Sequence, residues 1–149
     1  MADTLITGTT LIEDKRSERG EVWSCAGIDF FTSAPDQHII ERNLGGDGTV
    51  KNSSGGNLIF SVGVHLPNGA KVTSVIIYGE DGADVCAFSR TPNSSARGTA
   101  ELMATSTLNS ETTTITSEII NNEDYRYYLS TETIEFTHEI YGARIKYTY

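Results

Sequence analysis

The sequence predicts an all-β protein, an antiparallel β-sandwich of jelly-roll-like form in a single domain, and three observations lead there. Strand-favouring residues are abundant, with 19 Thr and 7 Tyr beside 14 Ser, while the helix formers Lys and Met number only 4 and 2. No stretch carries apolar residues at the i, i+3, i+4, i+7 spacing of an amphipathic helix. Short apolar runs are instead cut by Gly, Pro and Asn turn signals about every 10–12 residues, the rhythm of a sandwich. The 149 residues suit one domain.

Residues 4–12 (TLITGTTLI) read as a strand broken by Gly8, and 13–19 (EDKRSER) as an exposed polar connection. Residues 1–20 are therefore set apart as an N-terminal strand or arm, and 21–149 as the sandwich. Strand character resumes at 21–31 (EVWSCAGIDFF), and 37–42 (QHIIER) is a short strand candidate. The Gly/Ser/Asn-rich stretch 45–57 reads as a loop.

The second half is more regular. Over 58–66, Leu58, Phe60, Val62, Val64 and Leu66 share one face while Ser61, Gly63 and His65 share the other, the period of two of a half-buried strand. Pro67-Asn68-Gly69 makes a tight turn, with Pro67 expected at its first corner and Gly69 at a positive φ. Residues 71–78 (KVTSVIIY) are apolar on both faces toward their end, which suits a central strand. After a turn at 79–84 (GEDGAD), strands are expected at 85–91, 99–107, 110–120 and 125–133. In the last strand Tyr141, Ala143, Ile145, Tyr147 and Tyr149 are expected on one face, and Gly142, Arg144, Lys146 and Thr148 on the other.

Charge narrows the function. With 20 acidic residues against 11 Lys plus Arg the chain carries −9, which argues against nucleic acid and against an anionic membrane as partners. No apolar run reaches the roughly 18–20 residues of a spanning helix. The N-terminus lacks the basic and apolar regions of a signal peptide, so folding in the cytoplasm is expected. Cys25 and Cys86 read as free thiols on buried faces, with a single bridge as the alternative.

Little in the sequence points to catalysis. His38, His65 and His138 lack the close pairing typical of zinc ligands, although separate strands can bring histidines together. There is no nucleophile elbow and no phosphate-binding loop, so no catalytic residue and no cofactor is assigned. Glu80, Asp81 and Asp84 around Gly82 form a candidate calcium loop, because hard cations take several oxygen ligands; the same residues also suit a hairpin turn. Trp23, Tyr125 and Tyr127 are candidate ligand-binding rings, able to stack on sugars or fill a protein interface.

The segments LPNGAKVTS (66–74), INNEDYRYYL (120–129) and YGARIKYT (141–148) together resemble a group of prokaryotic and phage-associated β-sandwich modules with LP-x-GA-x-VTS, a Tyr-rich strand pair and a terminal YG-x-RI-x-YT. The likeness covers 57–149, with a weaker extension to 25–31 (CAGIDFF). It implies a jelly-roll-like, non-enzymatic structural or attachment module. Such a module is expected to self-associate, as a homotrimer, in a virion- or surface-type assembly beside neighbouring assembly proteins. The alternative is a carbohydrate-binding module presenting Trp and Tyr rings to a glycan.

Overall fold

The computed structural model describes residues 19–32, 40–43, 46–53, 56–95, 99–135 and 137–149. The expected strand at 4–12, nearly all of the proposed arm at 1–20, and His38 lie outside them. Among the described residues there are ten strands, one 3₁₀ turn and no α-helix, so the composition argument against helix holds.

Two antiparallel sheets form the molecule. The first contains β1 (Gly20–Ala26), β3 (Ile40–Arg42), β4 (Val50–Asn52), β6 (Lys71–Gly79) and β10 (Glu139–Thr148). The second runs in the order β2 (Phe31–Thr32), β5 (Phe60–Val64), β9 (Tyr125–Thr131), β7 (Val85–Pro92) and β8 (Glu101–Thr107). The chain crosses between sheets repeatedly, as a jelly-roll-like sandwich requires. Apolar residues of both inner faces, among them Val75, Ile77, Ala143 and Ile145 from one sheet and Phe60, Val62, Phe88 and Leu129 from the other, merge into a single core.

Strand β5 shows why alternation is informative. Phe60, Val62 and Val64 are buried while Gly63 is exposed, and the flanking Leu58 and Leu66 continue the buried face. The following turn closes with the Ala70 N–H donating to the Pro67 carbonyl. Asn68 and Gly69 are thus the corner residues, and Gly69 adopts φ +87°. Pro67 stands one position before the corner expected for it.

Three expectations change. The loop at 45–57 contains β4, whose Val50 is fully buried and pairs with Ile140 and Arg42. One apolar residue among glycines gives no periodic signal, so tertiary pairing alone makes this strand. Residues 110–120 do not form a regular strand. They bridge β6 at Thr112 and Ile119, and the Thr116 N–H donates to the Met103 carbonyl of β8. This strap closes the gap between one edge of each sheet, which is why its backbone bonds are divided between partners. The strap also replaces the second regular neighbour expected for β6, whose full-length partner is β10.

The third change lies in β10. Ile140 pairs with Gly79, yet Gly142 pairs with Tyr78, so Tyr141 is an extra residue, a β-bulge. Because side chains alternate, one inserted residue moves a side chain to the opposite face. Ile140, Ala143 and Ile145 are in the core, whereas Tyr141 is 44% exposed.

One edge of β10 changes partner at the same place. Glu139 and Ile140 pair with β4, and Gly142 to Thr148 pair with β1. Between them the chain leaves β1 through the 3₁₀ turn Gly27–Asp29. A Cβ on Gly27 would strike the Ile140 carbonyl, so only glycine permits this crossing. Gly27→Ala is expected to lower the unfolding free energy by about 1–3 kcal/mol through overpacking. Urea denaturation reads this directly, and an unchanged midpoint would show that the crossing relaxes freely.

Candidate functional site

The bulge builds a feature on the outer face of the first sheet. Register places Ser24 beside Arg144 and Arg144 beside Ile76, and in the next row Ala26, Gly142 and Tyr78 are neighbours. With Tyr141 turned outward, Tyr78 and Tyr141 flank Gly142 in an open hollow of about 440 Å³, also lined by Ser24, Cys25 and Arg144. Gly142 provides the floor, and a Cβ there would meet the Cys25 carbonyl at 2.6 Å. The rim is aromatic and the polar groups few, the composition of a ligand-orienting surface.

Charge beside the hollow is ordered by Glu111 of the strap. Its Oε1 accepts from the Ser74 hydroxyl at 2.7 Å, from Arg144 Nη2 at 3.2 Å and lies 3.3 Å from Lys146 Nζ. The Ser74 hydrogen bond first, then Lys146 and Arg144, holds this carboxyl below the ordinary carboxylate range. Arg144 is thereby fixed in direction at the edge of the hollow.

At the end of the same β6–β10 pair, the two candidate aspartates meet a histidine from a distant part of the chain. His138 Nδ1 lies 3.0 Å from Asp84 Oδ2, and His138 Nε2 lies 3.7 Å from Asp81 Oδ2. Asp81 also shapes the turn, its Oδ1 accepting the Ala83 N–H at 2.9 Å. Asp81, Asp84 and His138 place ligand atoms within 4.8 Å of one another and could hold a metal ion. Glu80 is exposed and stands outside this group. Burial pulls the His138 imidazole down, but the hydrogen bond and charge of Asp84, with the charges of Asp81 and Glu135, outweigh it and raise it above its usual 6.5. Nothing local in the sequence joins His138 to Asp84, which is 54 positions away. Contact across the sheet end creates the group.

The candidate rings fare differently. Trp23 is half-buried and packs on the core from β1. Tyr127 is 5% exposed, with its ring centroid 6.1 Å from that of Phe88. Its hydroxyl accepts the Asn121 N–H at 2.8 Å, so it braces a loop from within. Tyr125 is partly exposed, but one face is covered by Arg90, whose guanidinium sits 3.9 Å from the ring centroid while its Nε bonds Glu101 at 2.7 Å. A second hollow of about 320 Å³ adjoins Tyr125, lined by His65, Asn93, Asn122 and Arg126. The donors there are committed to the loops: Asn93 to the Asn122 and Glu123 carbonyls, Asn122 to Leu66, and Arg126 to Pro92 and Ser95. Cys25 and Cys86 are free thiols, both pushed up to about 11 by burial, with the charge of Asp29 adding at Cys25.

No protein-family model and no curated protein matches the chain. Among solved structures it is similar to the C-terminal CBM6 of LamC, a marine laminarinase from Zobellia galactanivorans, at 11% identity and a TM-score of 0.48, over 84% of this chain and 98% of that one. No helix among the described residues is long and apolar enough to cross a membrane.

The histidine clasp has a defined pH signature. A folded-state value raised above the unfolded one stabilises the protein fully below about 6.5, and that contribution is lost as pH rises through the raised value. Melting curves across this window should show the wild type losing stability relative to His138→Gln. Parallel profiles would mean that the clasp contributes nothing to folding.

Proposed function

We propose that the protein is a non-catalytic binding module that holds a neutral glycan across the outer face of the first sheet. The observation that carries this reading is the bulge that turns Tyr141 outward beside Tyr78 over the Gly142 floor. The C–H faces of a pyranose are apolar and pack on aromatic rings, while hydroxyls at the ring edge need hydrogen-bonding groups nearby. Tyr78 and Tyr141 supply the rings, and Ser24 and Arg144 supply the polar groups. The hollow is open along the sheet, a shape that suits a chain better than a small enclosed substrate. Stacking by two rings on a preformed β-sheet needs little reorganisation, which favours binding without closure of a lid.

A second reading, self-association as a homotrimer in a surface or virion-type assembly, draws support from the exposed side chains of Val22, Phe31, Leu102, Ile119 and Tyr149. Light scattering separates it from the first: a binding module works as a monomer of 16.2 kDa, whereas the assembly reading requires three times that mass.

Titration against a panel of soluble neutral oligosaccharides tests the glycan reading. Tyr141→Ala should weaken binding at least about tenfold, equivalent to ~1.4 kcal/mol, and barely change the melting temperature because the ring is exposed. Trp23→Ala should do the reverse, costing up to ~3–5 kcal/mol of stability while folded protein binds normally. Equal binding by wild type and Tyr141→Ala would remove the hollow as the binding site.

A further inference from the structure

The two nitrogens of His138 stand in different relations to their carboxylates. The 3.0 Å from Nδ1 to Asp84 Oδ2 is a hydrogen-bond length. The 3.7 Å from Nε2 to Asp81 Oδ2 is too long for a good hydrogen bond. It is close to the span of about 3.3–3.5 Å between two ligands of one tetrahedral ion with bonds of ~2.0–2.1 Å. Asp84 and His138 are also sheltered, with side chains 10% and 18% exposed, while Asp81 is more open at 45%. The Nδ1–Asp84 side of the ring is thus sheltered, and the Nε2–Asp81 side is reachable by solvent.

We propose that this corner binds a divalent transition-metal ion of the zinc class, with His138 Nε2 and Asp81 as protein ligands and water completing the shell. Asp84 is a positioning residue. It accepts the Nδ1 proton, and so fixes the tautomer that presents a free Nε2 lone pair, the carboxylate–histidine–metal arrangement common in metal sites. Imidazole as a ligand selects against calcium and magnesium, which take oxygen donors. The proposal differs from the all-oxygen calcium loop of Glu80, Asp81 and Asp84, because each aspartate faces a nitrogen of His138 and Glu80 lies outside the group. A net charge of −9 favours cation binding over the whole molecule. The site stands independently of the glycan reading.

The test titrates zinc chloride into the tag-free full-length chain near neutral pH by calorimetry, with calcium chloride as the comparison. One zinc per chain is expected, with at least about tenfold weaker binding in both His138→Gln and Asp81→Asn. Asp84→Asn should weaken it by about 10–100-fold without touching the ion directly. Long-range proton–nitrogen spectra of the wild type avoid dependence on variant folding: zinc should move the His138 Nε2 resonance and leave Nδ1 protonated. Zinc binding that survives His138→Gln, calcium binding as tight as zinc, or an Nε2 resonance unmoved at saturating zinc would each overturn the assignment.

Discussion

Strand β10 must satisfy three neighbours with one backbone, and much of the structure follows from how it does so. One edge pairs with β6 along nearly its whole length. The other edge is divided, first to β4 and then to β1. Because buried backbone donors and acceptors need partners, β1 has to end where β4 begins, and the Gly27 turn clears that position under the Ile140 carbonyl. The extra residue at Tyr141 falls at the same junction. A strand paired on both edges has no room for a slip, so the irregularity is taken up locally as a bulge, and the displaced side chain becomes the rim of a hollow. Fold and site share one cause.

Buried and half-buried amides hold the remaining connections. Asn52, fully buried, donates to the Gly56 and Ile134 carbonyls and ties two loops together. Asn109, at φ +66°, exchanges two side-chain hydrogen bonds with the Gly79 backbone and so acts as an added rung at the end of β6. The loops near Tyr125 are stitched in the same manner by Asn93, Asn122 and Arg126. Each such bond contributes about 1 kcal/mol net, and leaving its buried partner unsatisfied costs more. Polar residues that look available for ligands in the sequence are mostly committed to the scaffold at that end. On the Tyr78–Tyr141 face, by contrast, aromatic surface stays open, with Tyr141 44% exposed.

The fold was legible because the alternation in β5 and the apolar run of β6 are local signals of burial. β4 was not, because its single core residue Val50 is set among glycines and serines and is defined by its partners. Strict alternation also placed Tyr141 with Ala143 and Ile145. A bulge is the case that alternation cannot represent, since it is fixed by the register of β6 against β10. Tyrosine is a residue type that suits the proposed binding face, but the sequence could not distinguish Tyr127, which braces a loop from the core, from Tyr141, which faces solvent. Asp81 and Asp84 were visible together with Glu80 as an acidic turn, and the turn role of Asp81 is clear in the Ala83 contact. His138 joins them only through the pairing of β6 with β10, so no spacing in the chain announces it.

Chemical-shift mapping most directly tests the claim that the bulge creates the binding face. Backbone amides would be followed while soluble neutral oligosaccharides are added to the full-length protein. Perturbations should centre on Ser24, Tyr78 and the Tyr141–Gly142–Arg144 stretch of β10, with the Asn93, Asn122 and Tyr125 end unmoved. Perturbations centred instead on that loop end, or no shift with any saccharide of the panel, would contradict it.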